Sequence, residues 1–460
     1  MKRTVLSAML CAGVAVAAPT QQAQDRPNIV VLLADDLGYG DLSIHGATDV
    51  QTPNIDALAK SGAQFNEAYV CYPACGPSRA GLMTGRHHLR FGYPSNPDQV
   101  VPTNPGNLVG LPTEELTLAE LLKEQDYATG VFGKWHLGFQ KECHPLNNGF
   151  DEFFGFLGSL YRYFDLGNMK PPKCFMRGFE RWHEKEYQTD AIARESAAFI
   201  ENHEDEPFLL YASFGAVHTP LMWDKDPGNV HIALNGTDDV AENRCILVNM
   251  IEGLDRGVGT ILTQLKKSGL DKNTLIFFLS DNGGPKATGA YSNGPLRDFK
   301  GSSYEGGIRV PLFVRWTGRI EPGQTFQQPV SALDLFATSV AAAGGALPTD
   351  RVYDSKNLLP VLFGKEEIAE RPLFWDALGM QAVRLGDWKL VCKNGGRVKE
   401  LYNIRNDTGE QNNLIAAYPE RAENLEKRLR RWQSELPEWK FKWLPPAEYK
   451  AWITEHGELE

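Results

Sequence analysis

The sequence is short of positive charge and of paired metal-binding cysteines and histidines, and each shortage excludes a class of protein. Its 460 residues carry 47 lysines and arginines against 58 aspartates and glutamates, a net charge of −11. That balance argues against nucleic acid as a partner. The 7 cysteines and 10 histidines are not paired at zinc-like spacing, which argues against a zinc site.

Long hydrophobic runs are also absent. The apolar stretch over residues 5–16 is too short to cross a bilayer. It follows the basic residues Lys2 and Arg3, and small residues at positions 15–17 offer a cleavage site. We expect residues 1–17 to be a signal peptide and the protein to be exported to the periplasm or secreted, with no membrane span.

Internal repeats and low-complexity linkers are absent, and short apolar runs alternate with helical patterns instead. Continuous apolarity is typical of strands that are buried on both faces of a parallel sheet. The predicted strands are 28–34, 127–132, 207–214, 274–280 and 310–316. The predicted helices are 54–62, 116–125, 189–202 and 244–268. This alternation predicts an α/β fold with a large, mostly parallel sheet between helices.

The pattern changes after about residue 371. Residues 381–392 and 398–402 have the alternation of hairpin strands, and residues 419–436 form a charged amphipathic helix. We therefore predict a main domain over residues 26–370. A C-terminal α+β subdomain over residues 371–460 would hold a small antiparallel sheet with one helix.

Acidic and amide side chains follow two of the predicted strands. Asp35 and Asp36 come directly after the first strand, and Asp281 and Asn282 follow the strand that ends at residue 280. One such pair would most often be a helix cap or a solvated turn. Two oxygen-rich clusters at the strand ends, where open α/β sheets bind ligands, predict a site for Ca²⁺ or Mg²⁺.

Basic side chains lie near the other predicted strands. Lys134 and His136 stand in Gly-Lys-Trp-His-Leu-Gly after the second strand, and His218 lies beyond the third. Lys300 opens a glycine-rich loop before the last strand. An ammonium group binds sulfate and phosphate equally well, so these residues predict an oxyanion site without choosing between the two.

The remaining motif is Cys75-Gly-Pro-Ser-Arg79, with Thr-Gly-Arg a few residues later. A cysteine beside glycine and proline would, taken alone, be a turn residue or a disulfide partner. Here the motif lies in a fixed order among Asp-Asp, Gly-Lys-Trp-His-x-Gly, a later histidine, Asp-Asn-Gly and Lys-x-x-x-x-Glu-Gly-Gly. Over residues 27 to about 307 the chain resembles the type I, formylglycine-dependent sulfatases of the alkaline phosphatase-like superfamily.

The resemblance implies an alkaline phosphatase-like α/β sandwich with a catalytic main domain. It also implies that Cys75 is converted to 3-oxoalanine (formylglycine) by a formylglycine-generating or sulfatase-maturing enzyme. The implied cofactor is Ca²⁺, with Mg²⁺ as the alternative. The implied metal ligands are Asp35, Asp36, Cys75 in its modified form, Asp281 and Asn282.

The resemblance also implies roles for the other residues. Arg79 and Lys134 would hold the deprotonated hydrate of the aldehyde. Lys134, His218 and Lys300 would bind the sulfate, with His218 or Lys300 protonating the leaving alcohol. His136 would take the proton of the second hydroxyl. Together with Cys75, these are the predicted catalytic residues.

The other cysteines are not part of the predicted site. Cys71-x-Pro resembles a shifted start of the same motif, but its fifth residue is cysteine rather than arginine, so we expect a packed thiol or a disulfide partner. Setting aside Cys11 and Cys75 leaves an odd number of cysteines. Cys143 and Cys174 can pair in an oxidising compartment, although sequence does not determine connectivity.

An exported sulfatase is expected to act on sulfated carbohydrate, of galactan or glycosaminoglycan type. Residues 144–155 resemble the same stretch of sulfatases that act on galactose-type sugars. Residues 159–164 and Trp182-His183 would line a sugar pocket or pack as aromatic core, and both interpretations stay open. The alternatives are a phosphatase or phosphonate monoester hydrolase of the same superfamily, and a non-catalytic glycan-binding relative, which would lack some catalytic residues.

Overall fold

A computed structural model describes residues 26–102, 108–159, 162–164, 174–225, 239–438, 441–443 and 448. The predicted signal peptide and most of the last 20 residues lie outside these ranges. Within the described ranges, no helix has the length and apolarity needed to cross a membrane.

A ten-stranded sheet forms the centre of the protein. Its strands are, in order across the sheet, β13 (Gln324–Phe326), β2 (Ala63–Phe65), β12 (Leu312–Trp316), β10 (Thr274–Ser280), β1 (Asn28–Ala34), β9 (Phe208–Ser213), β5 (Ala128–Lys134), β6 (Glu152–Phe156), β7 (Phe175–Arg177) and β8 (Glu180–Trp182). The five strands from β10 to β6 are parallel to one another. Every residue of β1 is buried, because both faces of the sheet are covered by helices.

The helices form one layer on each face of the sheet. Alternate residues of β1 contact the two layers, Val30 and Leu32 on one side and Ile29 and Val31 on the other. The first layer holds α1 (Pro53–Lys60), α4 (Gln188–Asn202) and α5 (Val240–Lys267). The second holds α2 (Cys75–Thr84), α3 (Leu118–Lys123), α7 (Asp334–Ala342) and α8 (Leu359–Leu362). The predicted sandwich of helices around a large sheet is confirmed.

The predicted strand over residues 310–316 is divided in the structure. Pro311 separates β11 (Arg309–Val310) from β12, since proline has no N–H to donate to a neighbouring strand. β11 joins a three-stranded sheet with β3 (Ala68–Tyr69) and β14 (Val330–Ser331). β12 runs antiparallel to β10, so the large sheet is mixed on this side.

The C-terminal region forms the small antiparallel sheet that the sequence predicts. Its strands are β15 (Leu373–Ala377), β16 (Met380–Leu385), β17 (Trp388–Lys393) and β18 (Val398–Asn403). The apolar side of α9 (Pro419–Ser434) packs on this sheet through Leu425, Leu429 and Trp432. The last described strand, β19 (Phe441–Trp443), pairs with β4 (Val100–Pro102) of the preceding region. The boundary at residue 371 stays a prediction.

A buried ionic cluster joins the small sheet to the main fold. The carboxylate of Glu305, on the short helix α6 (Glu305–Ile308), lies 2.9 Å from Lys389 Nζ, and the Tyr69 hydroxyl donates to it at 2.6 Å. Lys389 Nζ also lies 3.0 Å from Glu410 Oε1. Burial acts to raise the pKa of Glu305, but nearby positive charges, Lys389 foremost, outweigh it and lower the pKa. Glu305, the glutamate of the Lys-x-x-x-x-Glu-Gly-Gly motif, therefore links the small sheet to the main fold.

This cluster yields a stability prediction. Lys389→Met leaves two buried carboxylates without their shared cation, so we expect the free energy of unfolding to fall by about 3–5 kcal/mol. Urea unfolding followed by tryptophan fluorescence measures the change. The control is Lys427→Met, which removes an ion pair to Glu423 in which the side chains are 71% and 63% exposed and should have little effect. Equal losses of stability in both variants would contradict the assignment.

Candidate active site

The ends of three parallel strands, β1, β10 and β5, carry predicted site residues to one edge of the large sheet. Asp35 and Asp36 follow β1, Asp281 and Asn282 follow β10, and Lys134 is the last residue of β5. The backbone N–H of Asp36 donates to Asp281 Oδ1 at 3.2 Å, which ties the first two ends together. Asp36 adopts a φ of 62°, an unfavourable value outside glycine that is typical of functional sites.

Cys75 is the first residue of α2, and its thiol points into this edge. Its Sγ lies 3.4 Å from Asp35 Oδ1 and 3.9 Å from Asp36 Oδ1. Lys300 Nζ approaches the same sulfur to 3.2 Å. The residue is 1% exposed, and burial together with Asp281 and Asp35 raises the pKa of its thiol.

Arg79 lies one helical turn after Cys75, on the same side of α2. Its Nε donates to Asp281 Oδ2 at 2.8 Å. Its NH1 donates to Ser213 Oγ at 2.6 Å and to the carbonyl of Lys134 at 3.1 Å. Its NH2 is 3.7 Å from Asp35 Oδ1. This one fully buried guanidinium contacts residues at the ends of β1, β5, β9 and β10.

Two lysines neutralise the two carboxylates that follow β1. Lys134 Nζ lies 2.7 Å from Asp35 Oδ2, and Lys300 Nζ lies 2.6 Å from Asp36 Oδ1. Burial acts to raise the pKa of each carboxyl, but the positive charges around it outweigh burial and lower the pKa. The site therefore holds its carboxylates ionised and its lysines charged.

Two histidines lie in the same region. His218 Nε2 is 3.5 Å from Asp36 Oδ2, and its Nδ1 donates to the carbonyl of Thr219 at 2.5 Å. The His136 side chain is fully buried, and its Nε2 lies 3.5 Å from Asp98 Oδ1. Burial and the charge of Lys134 lower the pKa of His136 to about 4.

The oxygen donors at this edge, on Asp35, Asp36 and Asn282, fit a hard divalent cation. Ligand atoms of Asp35, Asp36, Cys75 and His218 lie within 4.8 Å of one another. Asn282 Oδ1 is buried and accepts no hydrogen bond from the described residues, whereas its Nδ2 donates to Asp36 Oδ1 at 2.7 Å. A free amide oxygen beside carboxylates is a typical Ca²⁺ or Mg²⁺ ligand set. The 4.8 Å group contains three of the predicted ligands, Asp35, Asp36 and Cys75, and it adds His218, which was not predicted as a ligand. Asp281 is not in the group, and its oxygens accept from Arg79 and from the backbone N–H of Asp36.

Three polar residues at this edge were missed by the sequence analysis. Ser213, which accepts from Arg79, is the last residue of β9 and lies one residue before the end of the predicted strand 207–214, so the strand-end rule could have found it. Asn96 Oδ1 accepts from the backbone N–H of Gly76 at the start of α2. Asn96 and Asp98 belong to no motif and follow no predicted strand, so only the structure shows them.

Cys71, Cys143 and Cys174, which the sequence analysis placed outside the site, are free thiols. Cys71 is a buried free thiol whose Sγ donates to the carbonyl of Pro77 at 3.7 Å. Cys143 and Cys174 are both buried and not bonded to each other.

Among the predicted sugar-pocket residues, Tyr163 is buried, and its hydroxyl donates to the carbonyls of Gly215 and His218 at 2.8 Å. Trp182 is 38% exposed at the edge of the sheet.

Known proteins resemble this chain over most of its length. The Sulfatase family model matches residues 27–346. The N-acetylgalactosamine-6-sulfatase of Rattus norvegicus is 37% identical over 389 residues, which cover 80% of this chain and 71% of that protein. The steryl-sulfatase of Mus musculus is 32% identical over 457 residues. The alignment covers 82% of this chain and 72% of that protein.

A solved structure is also similar. The crystal structure of Ps i-CgsB in complex with k-i-k-neocarrahexaose has a TM-score of 0.80 and 34% sequence identity, and the alignment covers 94% of this chain and 98% of that one. The family match covers well over half of the sequence, and the strand-end cluster around Cys75 carries the family's motifs. The chain belongs to the sulfatase family of the alkaline phosphatase-like superfamily and is a sulfuric ester hydrolase.

Proposed function

We propose that this protein is an exported sulfatase that hydrolyses sulfate esters of carbohydrates, of galactan or glycosaminoglycan type. The observation that carries the proposal is the position of Cys75, with its sulfur 3.4 Å from Asp35 Oδ1 and 3.2 Å from Lys300 Nζ. A relative that is an N-acetylgalactosamine-6-sulfatase and a similar structure bound to k-i-k-neocarrahexaose support a carbohydrate substrate. The short apolar segment after Lys2 and Arg3 supports export.

The proposal includes two groups that this chain would carry. Asp35, Asp36, Asp281, Asn282 and the modified residue 75 would hold Ca²⁺, or Mg²⁺ in its place. When present, the cation supplies Lewis acidity and the formylglycine hydrate supplies a hydroxyl that attacks sulfur. The oxidation of Cys75 requires a formylglycine-generating or sulfatase-maturing enzyme as a partner.

The side chains around residue 75 would bind and orient the sulfate ester. Lys134, Lys300 and His218 would offer N–H donors to the sulfate oxygens. The lysines are balanced by Asp35 and Asp36, so the charge of the bound cation would be needed as well to attract an anion against the net charge of −11. Arg79 and Lys134 would hold the deprotonated hydrate at residue 75. Such pre-positioned donors stabilise the charge that develops in the transition state.

Proton transfers would be divided among the remaining groups. His218 or Lys300 would give a proton to the leaving alcohol as the sulfur–oxygen bond breaks. His136 would take the proton of the second hydroxyl at residue 75, which lets the aldehyde form again and releases sulfate. Burial of His136 and the charge of Lys134 lower the pKa of this histidine to about 4, so it is neutral and ready to accept a proton at neutral pH.

A phosphatase or phosphonate monoester hydrolase of the same superfamily is the rival enzyme. Steady-state kinetics with nitrophenyl sulfate and nitrophenyl phosphate separate the two, since both substrates share a leaving group. We expect kcat/KM to be higher for the sulfate. A higher value for the phosphate would contradict the sulfatase assignment. A glycan-binding relative without activity would turn over neither compound.

The nucleophile is tested by Cys75→Ser. Serine has one hydroxyl where the formylglycine hydrate has two, so the step that re-forms the aldehyde is lost. We expect kcat to fall by about 10³-fold or more, as it does when a catalytic nucleophile is removed. Cys71→Ser is the matched control, because it makes the same exchange at a buried thiol four residues away, and it should keep most of the activity. Near-normal steady-state turnover in Cys75→Ser would exclude the mechanism.

The cation is tested by thermal unfolding of metal-depleted protein with and without Ca²⁺. A ligand that binds only the folded state at 100 times its Kd adds about 2.7 kcal/mol of stability. We expect this gain in the wild type, together with recovery of sulfatase activity, and a much smaller gain in Asn282→Leu. Asn412→Leu, at an exposed position, serves as the control and should respond like the wild type. A Ca²⁺ response that is equal in both variants would place the cation elsewhere.

A further inference from the structure

The proposed base His136 and its neighbour Asp98 have three buried polar atoms without a hydrogen-bond partner. They are His136 Nδ1, His136 Nε2 and Asp98 Oδ1, none of which is hydrogen-bonded within the described part of the chain. Buried polar atoms are nearly always paired, so such a group requires an explanation. The nearest pairing is Nε2 with Oδ1, whose separation is 3.5 Å. That pairing would satisfy two of the three atoms and leave Nδ1 free.

The segment that carries Asp98 is attached to both reacting regions of the site. The hydroxyl of Tyr93 donates to the carbonyl of His136 at 3.1 Å. The side-chain oxygen of Asn96 accepts from the backbone N–H of Gly76 at 2.8 Å, next to Cys75. Two residues that precede Asp98 in the chain, Tyr93 and Asn96, therefore hold its segment against the regions of His136 and Cys75.

The charged groups around His136 act in opposite directions on the protonation of its ring. Lys134 on β5 and Arg79 on α2 are the cations that face the ring, and both disfavour its protonated form. Asp98 is the acidic group that opposes them, and it favours the protonated form. Burial acts to raise the pKa of Asp98, but His136 and Lys134 outweigh burial and lower it, so the carboxyl is ionised.

We propose that Asp98 is a positioning residue for His136, an inference that rests on the proposed base role of His136. Its carboxylate accepts a hydrogen bond from the Nε2–H group and thereby selects the tautomer in which Nδ1 carries the free lone pair. Nδ1 then takes the proton of the second hydroxyl at residue 75, the ring becomes an imidazolium, and Asp98 stays ionised. The 3.5 Å separation shortens when the ring is charged, since catalytic hydrogen bonds are often long in ligand-free proteins.

The pairing is tested first without any turnover. Protein labelled with ¹⁵N-histidine and produced without the maturing enzyme gives ring nitrogen shifts that report the tautomer and the titration of each histidine. His136→Gln identifies the signal. We expect the Nε2-protonated tautomer in the wild type, and in Asp98→Asn a ring that titrates at lower pH because the stabilising charge is gone. The same tautomer and titration midpoint in both proteins would overturn the proposal.

Kinetics of the matured enzyme then test the role in the reaction. We expect kcat in Asp98→Asn to fall by about 10- to 100-fold, as for other residues that orient a functional imidazole, with little change in KM. The acidic limb of the pH profile should move to lower pH. Asp98→Glu, which keeps the charge, should recover part of the loss. If kcat fell equally in Asp98→Glu and Asp98→Asn and the acidic limb of the pH profile did not move, Asp98 would have a structural role only. That result would overturn the proposal.

Two further variants complete the design. Asp126→Asn makes the same exchange at a side chain that is 93% exposed, and it should match the wild type in both measurements. Full sulfatase turnover in His136→Gln would contradict the proposed base, whereas the histidine spectra would still report whether Asp98 and His136 are paired. The two failures are therefore distinguishable.

Discussion

The site depends on one buried cation, the guanidinium of Arg79. It hydrogen-bonds to Asp281, Ser213 and the carbonyl of Lys134, and it lies close to Asp35. A buried guanidinium is costly unless it is paired with carboxylates and hydrogen-bonded. Nε and NH1 of Arg79 are hydrogen-bonded, whereas NH2 faces Asp35 at 3.7 Å without a hydrogen bond to the described residues. The strand ends must therefore keep this arrangement around the charge. Because Arg79 is one helical turn from Cys75, the same constraint fixes residue 75 relative to the carboxylates.

Charge balance explains how so many ionised groups are stable at one sheet edge. Lys134 and Lys300 are each paired with a carboxylate that follows β1, so the edge is nearly neutral although its parts are charged. The loop of Lys300 is held in turn by Glu305, which is buried against Lys389 of the small C-terminal sheet. The appended sheet thereby supports the loop that carries Lys300, and the arrangement around Cys75 depends on both parts of the fold.

The sequence was informative wherever a local rule applied. Continuous apolar runs predicted four of the five parallel strands but not β6, and polar clusters at the strand ends predicted which side chains gather around Cys75. The division at Pro311 and the antiparallel β12 were not predicted, because they depend on which distant strand each piece pairs with. The pairing of Arg79 with Asp281 and the approach of Asp98 to His136 join residues far apart in the chain or outside any motif. Such contacts follow from the packed fold and have no local signal.

We propose that residue 75 acts as an aldehyde hydrate and not as a thiol. Mass spectrometry of the peptide that contains residue 75 gives the fraction of chains carrying the aldehyde. The same preparations, made with and without the maturing enzyme, give the specific sulfatase activity. We expect the specific sulfatase activity to rise in proportion to the fraction of chains that carry the aldehyde, and to be absent when no chain carries it. Full activity in protein whose Cys75 is entirely unmodified would contradict it.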